Sequence, residues 1–414
     1  MKKILLALVV VSLLAATSII PTTVGIFYKD VKSSSFNEAR FDRYMKLLMR
    51  IGHMPSLAVC CVKDDEVVFS RAYGVYDREN NKVATENTIY LAYSVSKTVT
   101  ATAMMQIIEN ESYGIDLDDD VSKWLPFDLK NPNYPDVNIT FRMLLAHQSS
   151  LNEDYYFGQL IPGDIDIPSY PDPFLQDFLL PNGNLYTPDV WSKDRPGEVF
   201  HYSNTGYGVI GYLTERISGQ SFEEYCKEHI FIPLNMYNTS FRLGDLDINQ
   251  AAVPYEYYRR QHFRLLHYGV IPRACGNLRT TVGDLSHFLI AHMNGGVYDG
   301  VRILEEDTVE LMHRIQYPGN KNELYSFPLY YGLGFEIITR YPLSTRNTII
   351  GHHGWCQARM WLRPSDNTGV IFFTHAISQS LSWDRSINSK VMSQINALAQ
   401  NLVQNTLFRL AKNS

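Results

Sequence analysis

Hydrophobic and polar positions change period along this chain, and each change marks a different kind of element. Apolar residues recur at helical spacing over 36–51, and "SLAVCCVKDDEVVFSRAYGVY" at 56–76 follows as two β-branched and aromatic runs broken by the polar "KDDE". That pattern predicts a helix and then a hairpin. From Ser94 to Glu109 the period lengthens, with Val95, Val99, Ala103 and Ile107 four apart and Met104 and Ile108 beside them, as on a buried helix. The stretch from about 110 to 260 is rich in Pro, Asn and Tyr and holds short helical patterns such as 205–217, which stops before Gly219. Strand patterns return in "TIIGHHGWCQARMWLRP" and "TGVIFFTHA", and an amphipathic helix is predicted at about 386–410. Strands at both ends with helices between predict an α/β domain over 36–385, with a mostly helical insertion at about 110–260 and residues 386–414 forming a helix on the sheet.

The N-terminus, "MKKILLALVVVSLLAATSII", has a texture of its own, two lysines and then an apolar run from Ile4 to Ile20. Residues 1–24 read as a signal peptide or a membrane anchor, so the remainder is expected to be secreted or tethered on the exported side. With 414 residues, 45% of them hydrophobic, the chain can bury a large core. Its 37 basic and 43 acidic residues give a formal charge of −6, and no basic run is present to follow a phosphate backbone. Nucleic acid is therefore not an expected partner. The cysteines at 60, 61, 226, 275 and 356 form neither a CxxC pair nor a dense framework, which argues against a structural zinc and a disulfide scaffold. Cys60 and Cys61, inside "SLAVCCV", read as small core residues.

Lys97 is the one charge between Glu86 and Glu109. Ser94 stands three residues before it, so on a helix the two share a face. An N-cap role accounts for Ser94 alone, because a capping serine favours Glu or Gln three residues on and a first-turn lysine opposes the helix dipole. Chemistry accounts for both. Burial disfavours the ammonium, and a neutral amine can take the proton of a neighbouring hydroxyl. No other Ser-x-x-Lys occurs in the chain.

This Ser-x-x-Lys and its surroundings, "ENTIYLAYSVSKTVTATAMMQIIE", resemble the serine β-lactamase and penicillin-binding-protein superfamily, specifically its class C branch with esterase, D-amino-peptidase and DD-carboxypeptidase relatives. "GIDLDDDVSKWLP", "NITFRMLLAHQSSL", "PGEVFHYSNTGYGVIGYLTERISGQSFEEY", "GNLRTTVGDLSHFLIAHMNGG" and "GHHGW" follow in that superfamily's order, from about residue 40 to about 376. The resemblance implies a β-lactamase/transpeptidase-like α/β fold, an antiparallel sheet flanked by helices with a mostly helical inserted subdomain. It implies Ser94 as nucleophile, Lys97 and Tyr202 as proton-transfer groups, and Asn204 bonding the lysine and the acyl-group amide. The superfamily's Lys/His-Thr-Gly falls on His352, His353 and Gly354 as substrate-binding positions, and the backbone N–H groups of Ser94 and Trp355 are the implied oxyanion hole. No metal or organic cofactor is implied.

Taken singly, several of these residues have a plainer reading. Tyr202 follows the turn at Pro196-Gly197 and reads as half-buried packing or as a phenol that gives a proton to a leaving group. Asn204 reads as a loop residue. Adjacent histidines on a strand place one side chain in and one out, and Gly354 lets the backbone come close to an acyl group. Two positions depart from the superfamily. His353 lacks the usual hydroxyl, which weakens a β-lactamase or DD-carboxypeptidase assignment more than it weakens acyl transfer. Ser150 stands at a usual glycine, so its backbone is expected to take another conformation, because glycine reaches positive φ cheaply and serine does not.

Neither Gly-x-Ser-x-Gly nor His-Glu-x-x-His is present, and the histidines at 262, 267, 287 and 292 read as packing or surface residues. The expected function is a serine hydrolase that opens a small ester, amide or short-peptide bond through an acyl-enzyme on Ser94. The alternative is a catalytically inactive scaffold of the same fold, serving in binding or assembly.

Overall fold

The structure is a computed structural model that describes residues 38–152, 160–162, 172–258, 261–319, 329–339, 348–354, 358–377, 407 and 410–412. Helix α1, Glu38–Ile51, presents Phe41, Tyr44, Met45, Leu48 and Met49 to one apolar layer. Its acidic first turn (Glu38) and basic last turn (Arg50) both suit the helix dipole. The predicted hairpin follows as β1, Ser56–Lys63, and β2, Glu66–Asp77, paired antiparallel. Asp64, in its turn, has φ +56°, which an aspartate tolerates.

A short β3, Lys82–Val83, completes one edge of the main sheet. The rest comes from the C-terminal third: β4 Leu329–Tyr331, β5 Glu336–Ile338, β6 Ile349–His353, β7 Arg359–Arg363 and β8 Thr368–Phe373. These eight strands lie in the order β4-β5-β6-β7-β8-β1-β2-β3, every neighbour antiparallel. The two ends of the chain meet where Cys60 faces Ile371.

β1 is buried on both sides, which is why its sequence reads as a continuous apolar run. Ala58, Cys60 and Val62 enter one core, and Leu57, Val59 and Cys61 enter the other. The two adjacent cysteines are thus core residues on opposite faces, both fully buried. The second core is closed by α1 with Leu407, Leu410 and Ala411, and the Cys61 thiol donates to the Leu407 carbonyl. Residues 1–24 and 386–406 lie outside the described residues. Among the described residues no helix is long and apolar enough to cross a membrane.

On the other face lie α2 Ser96–Glu109, α3 Phe141–Leu145, α4 Asn204–Ser218 and α5 Val282–Met293. Thr140, Ser203 and Thr281 cap α3, α4 and α5 with side-chain oxygens that accept from Met143, Gly206 and Asp284 N–H. Gly219 ends α4 in the left-handed region, as its position predicted. α2 begins two residues later than its hydrophobic period suggested, because Tyr93–Val95 form a 3₁₀ turn before it. Ser94 is therefore no N-cap of α2. Gly334, at φ +84°, touches α2 so closely that a Cβ there would lie 2.2 Å from Ala101 Cβ.

The expected change of backbone at Ser150 does not occur. Ser150 keeps the left-handed conformation, φ +61°, in place of the glycine. What holds it there is a buried network: Asn131 donates to its Oγ at 2.9 Å, and its carbonyl accepts the Ser192 N–H at 2.8 Å.

Candidate active site

The 3₁₀ turn lifts Ser94 out of the helix while α2 carries Lys97 beneath it. Tyr93, just before the serine, has φ +48°, an uncommon conformation for an aromatic residue. It is held by the Ser96 hydroxyl, which donates to the Tyr93 carbonyl at 2.5 Å and itself accepts the Leu278 N–H at 2.9 Å. Ser94 is half-buried, whereas Lys97 has no exposed surface.

Lys97 Nζ lies 2.5 Å from Asn204 Oδ1, 2.9 Å from the Cys275 carbonyl oxygen and 3.3 Å from Ser94 Oγ. The first two atoms are pure acceptors, so each requires an N–H from the amine. Ser94 Oγ lies within hydrogen-bond reach of the same nitrogen. Nζ also lies 4.9 Å from the centre of the Tyr202 ring and 5.5 Å from that of Tyr207. The start of α4 delivers both Asn204 and, just before it, Tyr202 to the lysine, and the short helix Arg273–Cys275 delivers the carbonyl.

The histidine pair on β6 divides as strand alternation predicts. His352 is fully buried and sits 6.3 Å, ring to ring, from Tyr202. Its Nδ1 donates to the His353 carbonyl at 2.6 Å, so its Nε2 accepts the Tyr331 hydroxyl at 2.5 Å. Burial, opposed by Glu336 and reinforced by Lys97 and His353, brings its pKa down to about 4. His353 is part-exposed and donates Nδ1–H to the buried Glu336 carboxylate at 2.6 Å. Glu336, on neighbouring β5, stays below the usual carboxylate range: burial alone would raise it, but His353 and His352 together outweigh that. Gly354 is essential to the approach of β6, because a Cβ there would come within 2.6 Å of the Ala92 carbonyl and 2.9 Å of Tyr93 Cβ. The site's third motif thus abuts the turn that carries Ser94. Trp355, the other expected oxyanion donor, lies outside the described residues.

Ser94, Lys97, Tyr202, Asn204 and His352 are therefore one cluster. Four contributors went unread in the sequence: the Cys275 carbonyl, His147, Tyr331 and Glu336. A backbone carbonyl leaves no trace in residue type. Glu336 is signalled only by being an acid within an apolar strand, "FEII". His292 proves to be packing, fully buried with Nε2 3.0 Å from Thr102 Oγ1, and His287 stacks on Tyr298. Among the described residues, Glu336, His352 and His353 bring potential metal-donor atoms within 4.8 Å of one another. Both nitrogens of His352 and Nδ1 of His353 already serve hydrogen bonds, so the set is arranged for hydrogen bonding and fits a cation poorly.

Comparison with known proteins places the chain in a family. Protein flp of Staphylococcus aureus (strain N315) is 27% identical over 227 residues, 53% of this chain, which spans only 41% of that relative's length. The octameric penicillin-binding protein homologue from Pyrococcus abyssi superposes with a TM-score of 0.66 at 24% identity, over 89% of this chain and 78% of its own. D-amino acid amidase from Ochrobactrum anthropi superposes with a TM-score of 0.64 at 18% identity, over 88% and 99%. These two likenesses establish the β-lactamase/transpeptidase-like fold, a large antiparallel sheet with flanking helices. The family model described as Beta-lactamase matches residues 41–378, and the chain belongs to that family.

Proposed function

We propose that this protein is a serine hydrolase that cleaves a small ester, amide or short-peptide bond through an acyl-enzyme. The observation that carries the reading is Lys97 Nζ, fully buried, with two carbonyl-type acceptors taking its N–H groups and Ser94 Oγ 3.3 Å away. Lys97 accepts the hydroxyl proton as Ser94 Oγ attacks the carbonyl carbon. Tyr202, beside the same amine, passes a proton to the leaving group and is reprotonated from the Lys97 ammonium, so the proton taken from Ser94 departs with the alcohol or amine. Water then attacks the ester on Ser94, the proton route runs in reverse, and the acid product leaves.

The environment of β6 bears on the substrate. A neutral His352 and a His353 tied to a carboxylate give a substrate carboxylate less to bind than a lysine and a free hydroxyl do. That favours esters and uncharged amides over penicillins and peptides with a terminal carboxylate. D-amino acid amidase has the same fold, which keeps D-amino amides in the candidate set. The N-terminal apolar run supports export or tethering of the mature chain.

Intact-mass spectrometry after incubation with a fluorophosphonate and, separately, with a penicillin tests the reading. A single fluorophosphonate adduct that disappears in Ser94→Ala is expected, with slow or no penicillin adduct. No adduct from either probe on folded protein would make an inactive scaffold the better account.

A further inference from the structure

His147, in "LLAHQSSL", has no role in the chemistry so far, yet it grips both sides of Tyr202. It leaves α3 at φ +58° and is fully buried. Its backbone carbonyl accepts the His201 N–H at 2.9 Å, and its ring Nδ1 accepts the Ser203 N–H, also at 2.9 Å. In an extended segment the N–H groups of residues i and i+2 point the same way. The imidazole nitrogen therefore stands where a neighbouring strand would supply its next carbonyl, and Tyr202 is the residue between the two bonds. The ring also lies against Tyr202, 4.3 Å between centres at 31°, with Tyr331 at 4.6 Å and Tyr207 at 5.1 Å closing the other sides.

Only a neutral His147 can do this, because a protonated ring has no lone pair to accept from Ser203. Burial, the largest cause, holds its pKa well below the ordinary value. With Nδ1 accepting, the proton sits on Nε2, and among the described residues that atom has no hydrogen-bond partner. A buried donor left without a partner costs stability. Packing alone would be served better by an apolar ring, so what the imidazole contributes is the acceptor.

We infer that His147 is a positioning residue, whose carbonyl and Nδ1 together fix the backbone on either side of Tyr202 and so set the phenol and Asn204 against Lys97. This rests on the proposed roles of Lys97 and Tyr202. Loss of the acceptor frees residues 201–203 to shift, and a displacement of about 1 Å at a reacting group costs on the order of 10²-fold in rate.

The test compares His147→Asn, His147→Gln and His147→Phe in the full chain. An Asn amide oxygen lies where Nδ1 lies, whereas the longer Gln places its polar atoms nearer Nε2. The readouts are the second-order rate of fluorophosphonate labelling, kcat and KM on p-nitrophenyl butyrate, and the melting temperature. His147→Phe is expected to lose ~10²-fold in labelling rate and in kcat with KM little changed. His147→Asn should recover about tenfold or more of that loss, and His147→Gln should not. If the Phe variant does not fold, the Asn and Gln variants decide between them. Equal rates for Asn and Gln, or a folded Phe variant as fast as wild type, overturns the inference. Failure of the wild type itself to label at Ser94 overturns the proposed function instead, and the two failures are separately visible.

Discussion

The two faces of the main sheet both bury apolar cores, but only one of them sets a row of polar side chains into its core. Behind β1, α1 and Leu407, Leu410 and Ala411 close a layer of aliphatic, aromatic and sulfur side chains. In front, α2 buries Ser96, Lys97, Thr98, Thr100 and Thr102 with no exposed surface at all. Their polar atoms end on backbone carbonyls: Thr98 on Val95, Thr100 on Ser96 and Ala274, Thr102 on Thr98, and Lys97 on Cys275. Burying polar atoms is tolerable where each acceptor is already in place. The front face also holds the larger apolar core, with Val95, Val99, Met104 and Ile107 of α2 in it, so its buried polar groups are set within apolar packing.

The largest effect that would sharpen this contrast comes from Lys97→Met. On the proposed role of Lys97 as base, its removal should slow fluorophosphonate labelling by ~10³-fold, within the range for a lost general base. The variant should stay folded at a cost of about 1–3 kcal/mol, because Asn204 Oδ1 and the Cys275 carbonyl lose their buried donor. A variant that unfolds instead would mean that the polar row carries far more of the stability. Next is Leu48→Ala on α1, 2% exposed in the wild type, which should cost about 3 kcal/mol in urea titrations. Its labelling rate per folded molecule should be unchanged, and a slower rate would break the division between faces.

The smallest effect is the share of the acid sensitivity that His352 contributes. His352 binds its proton more weakly folded, at about 4, than at the ordinary 6.5 of an unfolded chain. As pH falls below about 6.5 the unfolded state takes up the proton first, so stability declines until about 4, where the folded ring protonates too. The loss across that window has a ceiling on the order of 3 kcal/mol. Denaturant titrations at pH 7.5, 5.5 and 4 should be steeper for wild type than for His352→Gln. Identical slopes would remove His352 as the source.

Legibility in the sequence followed the range of the interaction. The hairpin 56–76, the helix that carries Lys97 and the stop at Gly219 depend on local periodicity and capping, and all were readable. So was the split of His352 and His353, since alternation along a strand is a property of the backbone. Ser150 misled because its positive φ is maintained by Asn131 and by Ser192, 19 and 42 residues along the chain. His147 gave no warning, since a histidine in a helix-to-loop segment has many ordinary uses. Its importance comes from hydrogen bonds to residues more than 50 positions away.

By itself, the amino-acid sequence determined the order of elements, the double burial of β1 and the candidate groups for the proposed acyl chemistry, because periodicity, propensity and functional-group identity are local. Only the tertiary structure decided that the Cys275 carbonyl joins Asn204 in taking the N–H groups of Lys97, that Glu336 anchors His353, and that His147 bonds the backbone on either side of Tyr202. Those partners are separated by tens to nearly two hundred positions. Hydrogen bonding depends on angstrom-scale placement of lone pairs and N–H vectors, and that placement exists only once the sheet and helices have packed.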